Sequence, residues 1–600
     1  MTEYRLRRDS LISPWGVGAI APFPNDESFM IAGLDNWFND CTSKEEFEIH
    51  DDRLSNRMDG KLFFMPPDYR QRTKENNGIR IPAYRFPLWN YCPICGNMEK
   101  LSAGSDVRKC SGDMRRKGSR QSYCNKNQGN LKRMRSLIPE RFVAVCENGH
   151  IEDFPVAEWI HQDGYVYNPK TCKINRSTGG GSSTLAGVRY TCTCGASKSM
   201  AGAFSKGALE KIGYHCQGNR PWLAGDPEFC DKPLQVIQRG AANAWFHEEI
   251  SSIYIPTEED VLTDSDKLLI KTAVSKLESQ RTDGQIDKET IMKFVGLFKM
   301  VSSGPFSEDS ILVSFIHSKL SDSIDKGSIT EVEYRLQEYN VLKKNFGEPK
   351  SPLYVERHDA TEYTNIKYLS GVSLIHKLRE TRVFTGFRRL NKDDATLVTE
   401  LSTQPTDWLP AIQNSGEGIL IDFNIALLRD WASQKSVIDR IGKIKDSSSE
   451  GRQLDPVYVL LHTFAHCAII ALASDSGYST ASIRERIYCR KYNDDAEREM
   501  AAVLIYTASG DSEGSLGGLV RQGLPERLER ILSRAIYEAT WCASDPVCIQ
   551  SNGQGQNSCN LAACHNCTLL PETSCEQYNK LLDRGVLIGT LEDRQVGFFL

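Results

Sequence analysis

The sequence predicts an α+β multidomain chain with a Cys-rich, zinc-ribbon-like N-terminal half, a helical middle and a mixed α/β C-terminal zinc-binding domain. Three observations predict it. Sixteen of the 19 cysteines fall into two runs, ten from Cys92 to Cys230 and six from Cys542 to Cys575. Between the runs, segments such as DKLLIKTAVSKLESQ and EVEYRLQEYNVLKKNF place apolar residues three and four positions apart, as on an amphipathic helix. The length of 600 residues exceeds what one hydrophobic core serves.

Composition narrows the class. Hydrophobic residues make up 40% and charged residues 25%, as in ordinary globular chains, and the net charge of −5 does not by itself announce a nucleic-acid binder. The opening MTEYRLRRDSLISPWG has no long apolar run after its arginines, so no signal peptide is expected. A cytoplasmic setting follows, where thiols stay reduced and clustered cysteines point to metal rather than to disulfides. The longest apolar stretch, Val457 to Ala473, contains His462, Thr463 and His466. It reads as a core helix, because a membrane span wants about 20 mainly apolar residues.

In chain order, residues 1–85 form an N-terminal β-rich segment in which Gly16 and Gly18 shape a turn without the lysine of a phosphate loop. Residues 86–250 form the Cys-rich region. YCPICGN and TCTCGA are two knuckles, each needing further ligands, and their order suggests two tetrads: Cys92, Cys95, Cys110 and Cys124, then Cys192, Cys194, Cys216 and Cys230. Four thiolates suit a closed tetrahedral zinc site, and the long gaps do not match compact iron–sulfur spacings. Cys146 and His150 form a C-x3-H pair able to replace one of these ligands, the alternative being a packed histidine beneath Phe154 and Trp159. From Asp106 to Arg141 the chain carries eleven basic and three acidic residues, among them Arg115, Arg116, Lys117, Arg120, Lys132, Arg133 and Arg135. Such a block either contacts nucleic-acid phosphates or forms a solvated loop between ligands.

Residues 251–350 read as a helical module and 351–450 as a mixed linker and strand–helix region. The latter holds a second basic stretch, LIHKLRETRVFTGFRRLNK, whose arginines beside Phe384 and Phe387 suit either a base-stacking nucleic-acid surface or a strand edge with one solvated face, the second being favoured. Residues 451–600 form the C-terminal domain. His462 and His466 stand at i and i+4, on one helix face, but H-T-F-A-H lacks the general-base glutamate of HExxH, so a metalloprotease has little support. They read as core residues. SGDSEGSLGGLV has no Gly-Lys-Ser/Thr ending, so its glycines shape a turn, with Asp511 and Glu513 as cation ligands or helix caps. Cys564 and Cys567 form a C-x2-C knuckle, with Cys575 eight positions on.

Several stretches together carry a family resemblance. LLHTFAHCAI, YSTASIRERIY, GDSEGSLGGLV, CASDPVC, AACHNCTLLPETSCEQYN and LLDR, with RFVAVCENGHIEDFPVAEWIH, QRGAANAWF, LRETRVFTGFRRL and GEGILIDF upstream, resemble the DrmB family of the DISARM anti-phage system. The C-terminal part alone resembles the MrfA-like zinc-binding domain attached to certain DNA helicases. Carried over by motif, the C-terminal zinc candidates are Cys548, Cys564, Cys567 and Cys575, with Cys542 or Cys559 as alternatives to Cys548. The resemblance implies a non-catalytic partner of the DISARM helicase subunit DrmA, forming a heterodimer that engages DNA, with no membrane partner and no small-molecule substrate. Two other readings compete with it. One is a metal-dependent nuclease using His462, His466, Asp511 and Glu513, and the other is a zinc scaffold that never touches DNA.

Overall fold

The computed structural model describes residues 5–67, 76, 78–105, 109–110, 124, 134–178, 184–223, 225–256, 330–391, 398–444, 454–490, 498–507, 517–555 and 558–599. The chain forms two compact units. One comprises Met1–His50, Leu62–Ser251 and Arg382–Ile412; the other comprises Asp51–Lys61, Ser252–Thr381 and Gln413–Leu600.

In the first unit the recurring element is a short antiparallel hairpin whose turn carries metal-type ligands. Trp89–Tyr91 pairs with Met98–Lys100, Phe142–Val145 with Ile151–Asp153, and Val188–Cys192 with Ser197–Ser199. Each connecting turn contains a glycine at positive φ: Gly96, Gly149 and Gly195. At Gly96 the constraint is double. Its φ is 75°, and a Cβ there would lie 2.0 Å from the Arg176 carbonyl oxygen. Arg176 N–H donates to the Gly96 carbonyl at 2.8 Å and Asn175 Nδ2 donates to the Cys95 carbonyl at 2.7 Å, so the strand Ile174–Thr178 docks directly on the knuckle backbone. A core of Phe142, Ala144, Phe154, Trp159, Ile174, Tyr190 and Val236 lies among these hairpins.

The second basic stretch does not present a solvated face in this unit. Arg382 and Arg388 are buried, paired with Glu249 and Glu248. Arg389 is fully buried and donates to the carbonyls of Gly149, Ala244 and Gly18, beside the Trp222 and Phe387 rings. Burial takes its pKa down to about 9. Three carbonyl acceptors converging on one guanidinium explain its inward position, and one of them belongs to the Cys146–His150 turn.

The second unit is a sheet with a helix on each face. Residues 418–422 pair with Met500–Thr507, which pairs with Ile483–Arg490, all antiparallel. Side chains alternate across a strand, so successive residues enter different cores. Ile419, Ile421, Ile483, Ile487, Ala501, Val503 and Ile505 face the helix Pro456–Ser476. Leu420, Tyr488, Ala502, Leu504 and Tyr506 share a core with Tyr339 and Leu342 of the helix Glu331–Leu342. The helix Pro456–Ser476 is capped by the Asp455 side chain, starts at Pro456 and stops at Gly477 in the left-handed region. It is long and apolar enough to cross a membrane by composition, yet 72% of its apolar window is buried here, as a core helix should be. Of the expected helical module, residues 257–329 lie outside the described residues.

Candidate metal centres

The three hairpin turns of the first unit each become half of a tetrad. Cys92 and Cys95, on the first turn, meet Cys110 and Cys124, with sulfur–sulfur distances of 3.8 Å for Cys92–Cys124 and 3.5 Å for Cys95–Cys110. A tetrahedral ion with metal–sulfur bonds of about 2.3 Å has an edge of about 3.8 Å, so the thiols are spaced for zinc. Hydrogen bonds from Cys110 and Cys95 hold the Cys92 thiol down to about 2, while burial and the neighbouring Cys92 push the Cys124 thiol up to about 12.

The second and third tetrads divide the ligands differently from the grouping expected on sequence order. Cys216 and Cys230 join Cys146 and His150, not Cys192 and Cys194. The reason is pairing. The strand Gln235–Gln238, which follows Cys230, pairs with Phe142–Val145 and so delivers Cys230 to the turn after Val145. Cys216 Sγ lies 3.7 Å from Cys146 Sγ, and His150 Nδ1 lies 3.3 Å from Cys146 and 3.5 Å from Cys216. His150 Nε2 lies 2.6 Å from Glu228 Oε1, the outer-shell carboxylate that fixes a ligating imidazole. A hydrogen bond from Cys216 draws the Cys146 thiol down to about 4.

Cys192 and Cys194 instead meet His161 and Cys172. The helix Val156–Ile160 ends at His161, whose Nδ1 donates to the Ala157 carbonyl at 2.7 Å and whose Nε2 lies 3.3 Å from Cys194 Sγ. Cys172 sits just before the strand Ile174–Thr178, which pairs with Val188–Cys192 so that Ile174 is opposite Cys192. His161 and Cys172 were not assigned on sequence grounds. A count was the available signal, because ten cysteines and two histidines fill three tetrads where eight cysteines fill only two.

In the second unit the C-terminal tetrad is Cys542, Cys548, Cys564 and Cys567. Cys542 takes the place expected for Cys575. Asp545 explains this, because its carboxylate accepts from the N–H groups of Cys542 and Ile549 and folds the CASDPVC loop inward. Cys542 Sγ comes to 3.5 Å from Cys564, and Cys567 lies 3.8 Å from Cys548 and 3.7 Å from Cys564. A hydrogen bond from Cys548 holds the Cys567 thiol down to about 5. Arg584, fully buried, donates to Asp545 at 2.6 Å and so braces the loop. Cys575 lies elsewhere, 3.2 Å from His462 Nε2, and Cys559 belongs to none of the tetrads among the described residues.

Among the expected DNA contacts, Arg135 is exposed. Arg115, Arg116, Lys117, Arg120, Lys132 and Arg133 lie outside the described residues, as do Asp511 and Glu513.

Comparison with known proteins agrees with this chemistry. Residues 464–568 match the MrfA Zn-binding domain, and residues 7–246 match a domain of unknown function, DUF8724. The chain is 31% identical to the DISARM protein DrmB of Bacillus paralicheniformis over 597 residues, covering 96% of this chain and 99% of that one. With the domain match and the Cys/His tetrads together, zinc is the metal these centres take.

Proposed function

The chain belongs to the DrmB family of DISARM defence proteins, and from that premise we propose that it is a non-catalytic, DNA-binding partner of the DISARM helicase subunit DrmA. It works in the cytoplasm as half of a heterodimer. The observation that carries this reading is the near-complete match to a DISARM protein in a chain whose chemistry-bearing residues, among those described, are mostly ligand tetrads. Thiolate tetrads with every position filled by protein are structural sites, whereas catalytic zinc keeps one position for water or substrate. The zinc centres therefore act as staples that hold surfaces for DNA and protein.

The DNA-facing segment is the basic block from residue 106 to residue 141. Arg115, Arg116, Lys117 and Arg120 fall between Cys110 and Cys124, two ligands of one tetrad, so both ends of that segment are tethered to the same centre. Basic side chains so gathered release counterions from DNA and give affinity without sequence reading. The test is a triple charge reversal, Arg115→Glu, Arg116→Glu and Arg133→Glu, measured for DNA affinity across a salt series and for co-purification with the helicase. Affinity should fall and the salt slope should flatten. An unchanged affinity and slope removes the basic block from the account, and failure to co-purify with a helicase removes the partnership.

The nuclease reading loses support from the position of its histidines. His462 and His466 are completely buried on the core helix, facing a strand glutamate and a cysteine.

A further inference from the structure

The core of the second unit contains a donor set of a different kind from the Cys-rich tetrads. His462 and His466 project from the helix Pro456–Ser476, Glu485 from the strand Ile483–Arg490, and Cys575 from the C-terminal segment. Strand alternation explains the glutamate. Ile483 and Ile487 face the helix, so Glu485 between them faces it too, while Arg484 and Arg486 point away to Glu380 and Glu338. We propose that His462, His466, Glu485 and Cys575 bind one zinc ion, a closed mixed-donor site separate from the Cys542–Cys567 centre.

The geometry fits an ion. The four donor atoms all lie within 4.8 Å of one another. His462 Nε2 is 2.9 Å from Glu485 Oε1 and 3.2 Å from Cys575 Sγ, and His466 Nε2 is 3.4 Å from Glu485 Oε1. A tetrahedron with bonds of about 2.0–2.3 Å has edges of about 3.3–3.8 Å, close to this set. The outer contact of His466 is that of a metal ligand. His466 Nδ1 lies 2.7 Å from the Thr568 carbonyl, which can only accept, so Nδ1 carries the proton and Nε2 presents its lone pair to the cluster. The Asn579 N–H donates to Cys575 Sγ at 3.2 Å.

Without a cation the same arrangement leaves buried polar atoms unanswered. His462 Nδ1, His466 Nε2 and both oxygens of Glu485 make no hydrogen bond, Oε1 meeting the two imidazoles only at ion-pair distance, although all three side chains are fully buried. The His466 lone pair is aimed at a carboxylate oxygen 3.4 Å away. A dication between one carboxylate, one thiolate and two neutral imidazoles makes the site neutral and gives each donor a partner, as complete burial demands. A zinc held by four thiolates carries a net charge of −2 instead, and in the C-terminal centre of that type Cys564 and Cys567 are only partly buried.

The site would tie the core helix to the strand and to the C-terminal segment, whatever the protein binds. Its test does not depend on DNA or helicase binding. Zinc per chain is measured in the full-length protein, in Glu485→Gln and Cys575→Ser, and in Cys564→Ser as a reference for the four-thiolate centre. Glu485→Gln and Cys575→Ser should each lose one ion relative to wild type, and adding Cys564→Ser to Cys575→Ser should remove a second. An unchanged zinc count in both Glu485→Gln and Cys575→Ser overturns the proposal. If those variants do not fold, an anomalous map of the wild-type protein at the zinc edge decides. A peak between the four donors supports the site, and peaks at the Cys-rich tetrads with none here overturn it.

Discussion

Replacing Cys192 and Cys216 together by serine separates two ways of dividing the N-terminal ligands. Cys192 stands with His161, Cys172 and Cys194, and Cys216 stands with Cys146, His150 and Cys230. Structural zinc sites have apparent binding energies of about 10–16 kcal/mol at pH 7, so each of four ligands carries roughly 3 kcal/mol. Losing one ligand should weaken its site by about two powers of ten. A competing chelator that leaves wild type intact should then strip one ion from each single variant. The assay is zinc per chain after chelator challenge and desalting. Two ions should leave the double variant, because its substitutions damage two centres. Were Cys192 and Cys216 ligands of one ion, the double variant would lose no more than either single one, and that result would refute the assignment. His161→Ala provides a check, since it should lose the same single ion as Cys192→Ser.

Other perturbations test the packing around these centres. Glu338 is fully buried between Arg486 and Arg53, and Glu338→Gln leaves those guanidiniums facing a neutral group, which should cost about 3–5 kcal/mol of unfolding free energy in denaturant titration. Burial alone would raise the Glu338 carboxyl, but Arg486 and Arg53 outweigh it and lower its pKa. The folded value thus lies below the unfolded one of about 4.3. Its contribution is therefore present above that pH and lost as pH falls through the folded value, so the gap between wild type and variant should close in acid. Gly96→Ala should lose the ion of the first tetrad, because its Cβ would meet the Arg176 carbonyl at 2.0 Å. Gly213→Ala, at the same φ of 75° with open space around it, should keep every ion; equal behaviour of the two would show that the clash is absorbed.

The metal chemistry was legible in the chain because ligand spacing within a turn is a local property. YCPICGN, TCTCGA and CHNC declare themselves through a few residues and a glycine that lets the backbone bend. Cys92, Cys95, Cys110 and Cys124 are found together as their order suggests, since that tetrad closes within one stretch of sequence. The family was legible too, through many short motifs spread along the chain. What sequence order did not predict was partnership between turns. Cys230 reaches Cys146, 84 positions away, because the strand that follows it pairs with Phe142–Val145, and Cys542 displaces Cys575 because Asp545 folds a loop. Nothing local to Cys230 encodes the first event, whereas the second rests on a carboxylate three residues from Cys542.

Glu485 marks the same boundary. Its placement at the apolar register of the strand in SIRERIY was readable as an oddity, an acid where alternation calls for a hydrophobe. The two histidines were visible at i and i+4, and read as core residues they are indeed buried. Only the packing of the helix Pro456–Ser476 on the strand Ile483–Arg490 places their nitrogens against that carboxylate, and only the C-terminal segment brings Cys575 to them. Donor types and local turns are written in the sequence, whereas the set of donors that meets at one point is decided by non-local packing. The physical reason is that a metal site needs several atoms within a few ångströms, and burial of the surrounding apolar faces is what brings distant segments to that distance.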